Sequence, residues 1–410
     1  MKIAMMTNNY KPFIGGVPIS IERLSESLRG MGHQVVVFAP TYENQEEREE
    51  VVRYHSLIRG IVGGVSIPNS LDPKIEKEFK EGDFDVIHVH HPMLIGRTAL
   101  YLSKKYGIPL VFTYHTRYEQ YLHYVGMSCL KGAVPLYIRE FTGHCDMVIA
   151  PTPKMKEVLS EMEVTAPVTI LPTGITQDSF QAEEKTAGEL RSRLLGNRGV
   201  QGEEEDKQLF VSVSRLAKEK NIPFLFKSLK LYKEKLGKSF RLALIGDGPE
   251  KEHLKKLSAE MGLTEEIIFV GKVPNTEVKN YCKAADLFLF ASTSETQGIV
   301  LLESMAAGTP VLAVKATGTE DIVADGKNGY MTQEKEEEFA DRLMDILEKK
   351  ELDFLRAGAE ETALSYHSSF IARRALITYR AAMQIRKNKE QMRQLRRNAG
   401  RNMIYSQSSI

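Results

Sequence analysis

The chain has 410 residues, 42% of them hydrophobic and 27% charged, a length and composition that suit two globular α/β domains. The formal net charge of +1 excludes recruitment of nucleic acid by bulk charge and leaves any anionic partner to a local basic patch. The three cysteines lack CxxC or metal-ligand spacing, which indicates thiols in a reducing compartment. We expect a cytoplasmic protein, because the N-terminus lacks a signal-peptide core and no segment approaches the length of a membrane-spanning helix.

The first half of the chain alternates short apolar runs with longer amphipathic ones. Near-continuous apolarity in the short runs is typical of strands in a parallel sheet that helices cover on both faces. The predicted strands are Ile3–Thr7, Val35–Ala39, Val86–Val89, Leu110–Thr113 and Met147–Ala150. We therefore predict a doubly wound, Rossmann-like N-terminal domain over residues 1–170.

A highly charged stretch, Glu183 to Lys207, then marks a solvated region near the domain boundary. The alternation restarts after it, which predicts a second Rossmann-like domain over residues 171–368. Its predicted strands are Leu209–Ser214, Leu242–Ile245, Ile267–Val270, Leu287–Phe290 and Pro310–Val314. Helical patterns follow at Glu338–Lys349, Leu352–Leu364 and Ser369–Met383.

The strongest functional signal is the run SETQGIVLLESMAAGTPV, which follows a predicted strand and enters a helix near Gly298. Parallel sheets bind ligands at this end of their strands, and a helix N-terminus attracts phosphate. The backbone amides of Gly298, Ile299 and Val300 are therefore predicted to hold a diphosphate. Glu295 and Glu303 would face a sugar and a ribose. Either carboxylate alone would be read as a surface or capping residue, but their combination with the glycine favours a ligand site.

Glu295-x₇-Glu303 followed by MAAGTPV resembles the signature of the retaining glycosyltransferases of family 4. The resemblance also covers SRLAKEKN, GDGPEKEHL, FVGKVP and DGKNGY, and it spans most of the chain up to about residue 385. It implies the α/β GT-B fold, in which two Rossmann-like domains face each other across a cleft. The N-terminal domain would bind the acceptor and the C-terminal domain the nucleotide sugar. A helix at about residues 369–385 would cross back to complete the N-terminal domain.

Two cations follow the first strand of the predicted second domain. Arg215 and Lys220 match the positions of the family that contact the diphosphate. Two fixed cations there would stabilise the charge that accumulates on a departing nucleoside diphosphate. Lys272 and Val273 resemble the positions whose backbone receives the base of the nucleotide. The GDGP turn is expected to be mainly structural, because such turns are common.

In the N-terminal domain, Gly16 belongs to a Gly-Gly-Val turn between the first strand and its helix, where a substrate can approach the backbone. The turn is not GxGxxG, and no acidic ribose ligand follows the second strand, which disfavours a dinucleotide-dependent oxidoreductase. His115 comes just after the strand Leu110–Thr113. A lone histidine is usually structural, but the family has a histidine at this position near the transferred sugar, which favours a functional role.

His88, His90 and His91 raise the hypothesis of a metal site. Alternation along the strand places His88 and His90 on one face and His91 on the other. No nearby acid or cysteine completes a zinc site at ordinary spacing. We therefore predict no metal and no cofactor, with the nucleotide sugar as co-substrate, and we expect His90 and His91 to border the acceptor side.

The resemblance implies retention of configuration, with the acceptor attacking from the face that the nucleoside diphosphate leaves. A leaving phosphate oxygen would take the proton of the acceptor, so neither an enzymatic nucleophile nor a divalent metal is required. The catalytic set would be His115, Arg215, Lys220 and Glu295, and its task would be positioning and charge stabilisation.

The stretch from His115 to Arg139 indicates the class of acceptor. Its tyrosines, arginines and lysine suit a membrane interface, with core packing as the alternative for several of them. Tyr118 and Tyr121 are expected on the acceptor side. The run FTYHTRYEQYLHYV, together with TNNYKPFIGGVPISIERL, resembles the bacterial diacylglycerol glycosyltransferases. We therefore expect transfer of a hexose, glucose, from a UDP-linked donor to 1,2-diacylglycerol.

Other functions share this fold. One is a transferase with a soluble or polyprenyl-linked carbohydrate acceptor, and another is a nucleotide-sugar 2-epimerase. A catalytically silent sugar-nucleotide-binding protein is disfavoured by the complete set of site residues. The sequence leaves open uracil versus guanine as the base, the choice among glucose, galactose, mannose and N-acetylglucosamine, and the oligomeric state.

Residues 386–410 are basic and contain few large apolar side chains, which predicts a partly ordered tail. Near an anionic leaflet each cation contributes up to about 1 kcal/mol, so the tail would hold the enzyme peripherally on the cytoplasmic face of the membrane, and salt would weaken the attachment. A solvated, disordered tail is the alternative. The cations are Arg386, Lys387, Lys389, Arg393, Arg396, Arg397 and Arg401.

Overall fold

The computed structural model describes residues 1–13, 15–61, 65–118, 132–196, 207–236, 239–349 and 351–407, without the side chains of residues 59–61, 65, 236 and 397–407. The chain divides into two compact units. The N-terminal unit contains Met1–Pro151, Lys156–Leu171 and Ile371–Ile410, and the C-terminal unit contains Thr152–Met155 and Pro172–Phe370. Each unit is built on a parallel sheet.

The N-terminal unit contains a seven-stranded sheet and a separate antiparallel hairpin. The strands are β1 (Lys2–Met6), β2 (Gln34–Pro40), β3 (Val51–Tyr54), β4 (Ser56–Ile61), β5 (Val65–Pro68), β6 (Val86–Val89), β7 (Leu110–Thr113), β8 (Met147–Ala150) and β9 (Val168–Ile170). The sheet has the order β3-β2-β1-β6-β7-β8-β9, and β4 pairs with β5 in the hairpin. All five strands predicted for this half are present. The edge strands β3 and β9 and the hairpin were missed, because short or half-exposed strands lack a continuous apolar run.

The sheet of the C-terminal unit has six parallel strands. They are β10 (Gln208–Val213), β11 (Phe240–Ile245), β12 (Ile267–Gly271), β13 (Leu287–Phe290), β14 (Val311–Val314) and β15 (Gly329–Thr332). Their order is β12-β11-β10-β13-β14-β15, so the strand order reverses between β10 and β13. In the N-terminal unit the reversal falls between β1 and β6. The carboxyl ends of strands at such a switch point form the crevice where open α/β sheets bind ligands.

In the C-terminal unit, alternate residues of the strands lie on opposite faces of the sheet. Leu209 and Val211 of β10 belong to one buried cluster, and Phe210 belongs to another. Both faces are therefore covered, as the continuous apolarity of the strands predicts.

The helices of the two units alternate with the strands. The α-helices in the first half of the chain are Gly16–Gly30, Pro73–Gly82, Ile95–Tyr106, Ala133–Thr142 and Pro153–Glu161. Those in the second half are Glu184–Leu195, Ile222–Leu236, Lys251–Glu260, Asn275–Ala284, Ile299–Ala306, Glu336–Glu348, Leu352–Ser365 and Ser368–Gln407. Within the described parts of the chain, none of the helices has the length and apolarity to cross a membrane.

The last helix, Ser368–Gln407, is longer than the sequence predicted and is called the C-terminal helix below. A helix of about 369–385 with a partly ordered tail was expected, but the helix continues through the basic residues. The segment contains no proline, and its abundant arginine, lysine, glutamine and alanine are strong helix formers. Ile371, Ala375 and Tyr379 join the core of the N-terminal unit. The helix therefore packs into the core of the N-terminal unit.

Two basic residues of the C-terminal helix bind inside the N-terminal unit. Arg386 is buried, and its Nη2 donates to the carbonyl oxygens of Ser103 at 2.8 Å and Ile108 at 2.9 Å. Lys389 Nζ lies 2.9 Å from Oδ1 of Asp146, whose side chain is fully buried. The two cations therefore satisfy buried acceptors, which neither the expected membrane-binding tail nor the alternative of a solvated tail included.

Candidate functional site

In the C-terminal unit, loops follow the two strands that flank the switch point. Arg215 and Lys220 lie in the loop after β10, and Glu295 lies in the loop after β13. Because β10 and β13 pair in parallel, their carboxyl ends lie side by side. The predicted cations and the first predicted carboxylate therefore share one edge of the sheet.

Lys220 and Glu295 contact each other directly. Lys220 Nζ donates to Glu295 Oε1 in an ion pair, and the two side chains are only 16% and 24% exposed. Ser292 Oγ lies 3.3 Å from both Glu295 Oε1 and the carbonyl oxygen of Glu219, so its hydroxyl can donate to either. The structure thus joins the cation predicted for the diphosphate to the carboxylate predicted for the sugar. Arg215 is exposed at the same strand end.

The GDGP turn after β11 supports the Arg215 loop. A Cβ on Gly246 would lie 1.9 Å from the carbonyl oxygen of Ser214, and one on Gly248 would lie 2.3 Å from that of Leu216. Backbone therefore packs directly on backbone, which only glycine permits. These contacts fit the structural role expected for the turn.

The helix Ile299–Ala306 begins at Gly298, whose φ of 69° lies in the left-handed region. A Cβ on Gly298 would lie 2.9 Å from the carbonyl oxygen of Gly318, and one on Gly318 would lie 2.4 Å from Glu295 Cβ. The two glycines thus allow neighbouring loops to pack on each other. The first helical turn contains no acidic residue, so its positive dipole end suits an anion.

Gln297 was not predicted as a site residue, but it fixes the same loop. Its buried side chain accepts a hydrogen bond from the backbone N–H of Thr173 at 2.7 Å and donates one to the Thr173 carbonyl oxygen at 3.0 Å. Ser292 was missed in the same way. Residues that act through long-range backbone contacts leave no spacing pattern in the sequence.

The remaining donor-side predictions lie on the helix and beside it. Glu303 is half-buried on the helix, and its charge adds to burial in raising the pKa of the nearby Cys282 thiol. Lys272 and Val273 follow β12, the outer strand of the sheet. Lys272 is exposed, whereas Val273 packs against the core.

In the N-terminal unit, His91 connects the two loops at the switch point. It follows β6 and is buried, and burial lowers its pKa to about 4. Its Nδ1 accepts a hydrogen bond from the backbone N–H of Asn8 at 3.2 Å and lies 3.3 Å from Thr7 Oγ1. Since Thr7 and Asn8 follow β1, a neutral His91 orders the loop beside the predicted acceptor site.

His90 and His115 form a pair beside this loop. His90 Nδ1 lies 2.9 Å from His115 Nε2, and the rings are stacked with centroids 5.2 Å apart. Burial holds the pKa of both rings well below the usual range, and neighbouring histidines add to this effect. The pair is therefore neutral near pH 7.

His88 lies next to His90 in the same group of rings. Its ring centroid is 4.2 Å from that of His90, as expected for alternate residues on one face. Its Nδ1 lies 2.8 Å from Tyr379 Oη, and its Nε2 lies 2.7 Å from Thr113 Oγ1. Burial lowers its pKa to about 3. Among the described residues, no group of three or more His, Cys, Asp or Glu side chains is arranged to hold a metal ion.

The other predicted residues of the N-terminal unit are spread around these loops. Gly16 is the first residue of the helix that follows the β1 loop. Tyr118 is half-buried with its ring 6.0 Å from that of Tyr114. Tyr121, with Tyr124 and Lys131, lies outside the described residues.

Two residues of the predicted aromatic and basic interface make contacts within the N-terminal unit. Tyr137 Oη donates to the carbonyl oxygen of Pro92 at 2.9 Å and accepts from Arg97 Nε at 3.0 Å. Arg139 pairs with Glu163. These two side chains are therefore engaged within the N-terminal unit.

Two family models match the chain. Residues 14–179 match the model described as Glycosyltransferase Family 4, and residues 196–359 match the one described as Glycosyl transferases group 1. The chain is 32% identical over 339 residues to an alpha-monoglucosyldiacylglycerol synthase of Streptococcus pneumoniae, covering 81% of this chain and 75% of the synthase. It is 31% identical over 385 residues to the synthase of the same name from Acholeplasma laidlawii, covering 91% and 95%.

Solved structures share the fold. The sucrose-phosphate synthase of Thermosynechococcus elongatus superposes with a TM-score of 0.74 at 20% identity, covering 93% of this chain and 98% of that one. Anabaena HepE in complex with UDP and glucose superposes with a TM-score of 0.70 at 20% identity, covering 92% and 99%. The fold is therefore GT-B, with two Rossmann-like units.

Proposed function

Because the chain belongs to the glycosyltransferases of family 4 and group 1, we propose that it transfers glucose from UDP-glucose to the free hydroxyl of 1,2-diacylglycerol. The contact of Lys220 with Glu295 at the switch point carries the proposal for the transfer chemistry. The names of the two synthases support the lipid acceptor and the hexose, and the UDP bound to HepE supports the donor class.

The donor is assigned to the C-terminal unit. Arg215 and Lys220 bind the diphosphate together with the leading amides of the helix Ile299–Ala306. Glu303 accepts hydrogen bonds from the ribose, Glu295 from the sugar, and the backbone at Lys272 and Val273 receives the base. A diphosphate entering this site meets Lys220 already positioned by Glu295, which reduces the ordering needed on binding.

The reaction retains the configuration of the sugar. The bond from the anomeric carbon to the phosphate oxygen breaks, the acceptor oxygen forms the new bond on the same face, and its proton passes to the leaving phosphate oxygen. Arg215 and Lys220 stabilise the charge on the leaving group, so the scheme uses no divalent metal. Within the N-terminal unit, His115 is assigned to the transferred sugar, and His90 and His91 are assigned to the acceptor side.

The acceptor places the enzyme peripherally on an anionic cytoplasmic membrane surface. Lys387, Arg393 and Arg396 of the C-terminal helix are exposed, and so are Met392 and Leu395. Cations combined with apolar side chains on a helix surface suit a bilayer interface.

The test is a donor panel assayed with defined acceptors. Full-length protein is incubated with labelled UDP-glucose, UDP-galactose, UDP-N-acetylglucosamine or GDP-mannose and anionic vesicles containing 1,2-diacylglycerol. We expect α-linked glucosyldiacylglycerol from UDP-glucose. Vesicles whose diacylglycerol hydroxyl is acetylated serve as the control and should yield no product. Isomerisation of the donor without acceptor would instead indicate an epimerase, and transfer only to soluble or polyprenyl-linked carbohydrate would refute the lipid acceptor.

A further inference from the structure

His90 carries a buried polar atom that lacks a partner within the described part of the chain. Its side chain is 1% exposed, Nδ1 pairs with His115, and Nε2 has no hydrogen-bond partner among the described residues. A buried imidazole nitrogen is costly to leave unpaired, and such atoms in native structures call for an explanation. His90 and His115 follow adjacent strands, β6 and β7, at the ligand-binding end of the sheet.

The pair with His115 restricts what Nε2 can do. Each neutral imidazole has one N–H donor and one acceptor nitrogen. If His115 Nε2–H donates to His90 Nδ1, the proton of His90 lies on Nε2, which can then donate. If His90 Nδ1–H donates to His115 instead, His90 Nε2 can only accept. The open nitrogen therefore switches between donor and acceptor when the protons of both rings shift.

We propose that His90 Nε2 binds a hydroxyl group of the substrate, and that the pair with His115 sets the direction of that hydrogen bond. The inference rests on the proposed function and deepens it by naming the contacting atom. A hydroxyl both donates and accepts, so it fits either state of the pair. A bound cation fits only the accepting state. A phosphate favours a charged donor, which this neutral pair does not provide.

A hydroxyl of this kind has two sources, the acceptor hydroxyl and a hydroxyl of the transferred sugar. Steady-state kinetics distinguish them. Removing a contact to the acceptor raises KM for diacylglycerol, whereas removing a contact to the sugar raises KM for the donor. Either result supports the proposal.

Two amide variants separate the two nitrogens of His90. His90→Asn places an amide near the position of Nδ1, so it keeps the pair with His115 and removes the Nε2 contact. His90→Gln places an amide near Nε2 and removes the pair. We expect His90→Asn to raise KM for one substrate about tenfold, the usual effect of one neutral hydrogen bond. His90→Gln should restore most of that loss.

Tyr379→Phe is the matched control, because it removes a buried hydroxyl partner from His88 in the same stack. It should lower Tm and leave both KM values unchanged. The proposal is overturned if His90→Asn behaves like this control, or if His90→Asn and His90→Gln are equally impaired in proportion to their loss of Tm.

The test remains separate from that of the proposed function. If the wild-type protein transfers sugar to an acceptor other than diacylglycerol, the proposal of diacylglycerol as acceptor is refuted. The His90 variants are then assayed with the acceptor that the wild-type protein uses. Nitrogen-15 chemical shifts of His90 and His115 provide a readout that does not depend on turnover. Substrate binding should shift Nε2 of His90 and both nitrogens of His115 together in the wild type. An unchanged His90 Nε2 at saturating donor and acceptor would contradict the contact.

Discussion

At the scale of single residues, Lys220 has a structural partner as well as a proposed role in the chemistry. Its ammonium group pairs with Glu295 in this structure, and the same group is proposed to bind the leaving diphosphate. We predict that Lys220→Ala and Arg215→Ala each reduce kcat by about 10²–10³, the usual effect of losing one preorganised charge contact to the transition state. Single-turnover kinetics with labelled donor measure the chemical step directly.

Lys218→Ala is the matched control for these variants, because Lys218 is exposed in the same short helical turn, Lys218–Lys220. It should keep wild-type turnover. Glu303→Ala should act chiefly on donor affinity, since the hydrogen bonds proposed between Glu303 and the ribose would form in ground and transition states alike. Near-wild-type turnover in Lys220→Ala would remove Lys220 from the mechanism, and a large fall in turnover at unchanged donor affinity would contradict the role of Glu303.

At the scale of elements, the basic residues of the C-terminal helix divide into buried and exposed ones. Arg386 and Lys389 satisfy buried acceptors in the N-terminal unit, whereas Arg393 and Arg396 are exposed. Truncating the chain after Arg386 would therefore change both stability and membrane binding, and the two effects could not be separated. We predict that Arg393→Gln combined with Arg396→Gln lowers partition onto anionic vesicles by about 30-fold at low salt, at about 1 kcal/mol per cation, with Tm unchanged.

The matched control neutralises Lys77 and Lys80, two exposed cations on the helix Pro73–Gly82 of the same unit. Sedimentation with vesicles should be nearly unaffected in that variant, and added salt should reduce the difference between it and the tail variant. Arg386→Gln should instead lower Tm, because it leaves buried carbonyl groups without their donor. If neutralising Arg393 and Arg396 leaves vesicle binding intact at low salt, the C-terminal helix is not the anchor.

At the scale of the whole molecule, the buried histidines make the N-terminal unit sensitive to acid. Burial lowers the folded-state pKa of His88 to about 3 and that of His91 to about 4, below the usual value of 6.5. Below pH 6.5 the unfolded chain therefore binds more protons than the folded one. Each of these histidines should lower the stability of the unit by up to about 1.4 kcal/mol per pH unit as the pH falls from 6.5 towards 4.

Two buried cysteines report on the two units separately. Cys145 lies in the N-terminal unit and Cys282 in the C-terminal unit, both fully buried. Labelling of Cys145 in urea, followed by mass spectrometry, should begin at lower urea as the pH is lowered from 7 to 5, and His88→Gln should flatten that slope. The prediction fails if the urea midpoint for Cys145 is the same at both pH values.

The sequence by itself determined the family, the GT-B fold and the strands whose apolar runs are continuous. These features are local, because the side chains that decide a buried strand or a glycine-led helix are neighbours in the chain. The motif from Glu295 to Glu303 is of this kind, and it indicates the predicted donor residues without reference to any tertiary contact.

Only the tertiary structure decided which of these residues meet. The contact of Lys220 with Glu295 joins residues 75 positions apart, and that of His90 with His115 joins residues 25 apart, across pairs of parallel strands. Strand order is set by how whole elements pack, so no spacing in the sequence encodes it. The C-terminal helix shows the same limit of what sequence spacing can predict. Its basic residues predicted a partly ordered tail on the membrane, but two of them bind acceptors that become neighbours only when the N-terminal sheet and its helices have assembled.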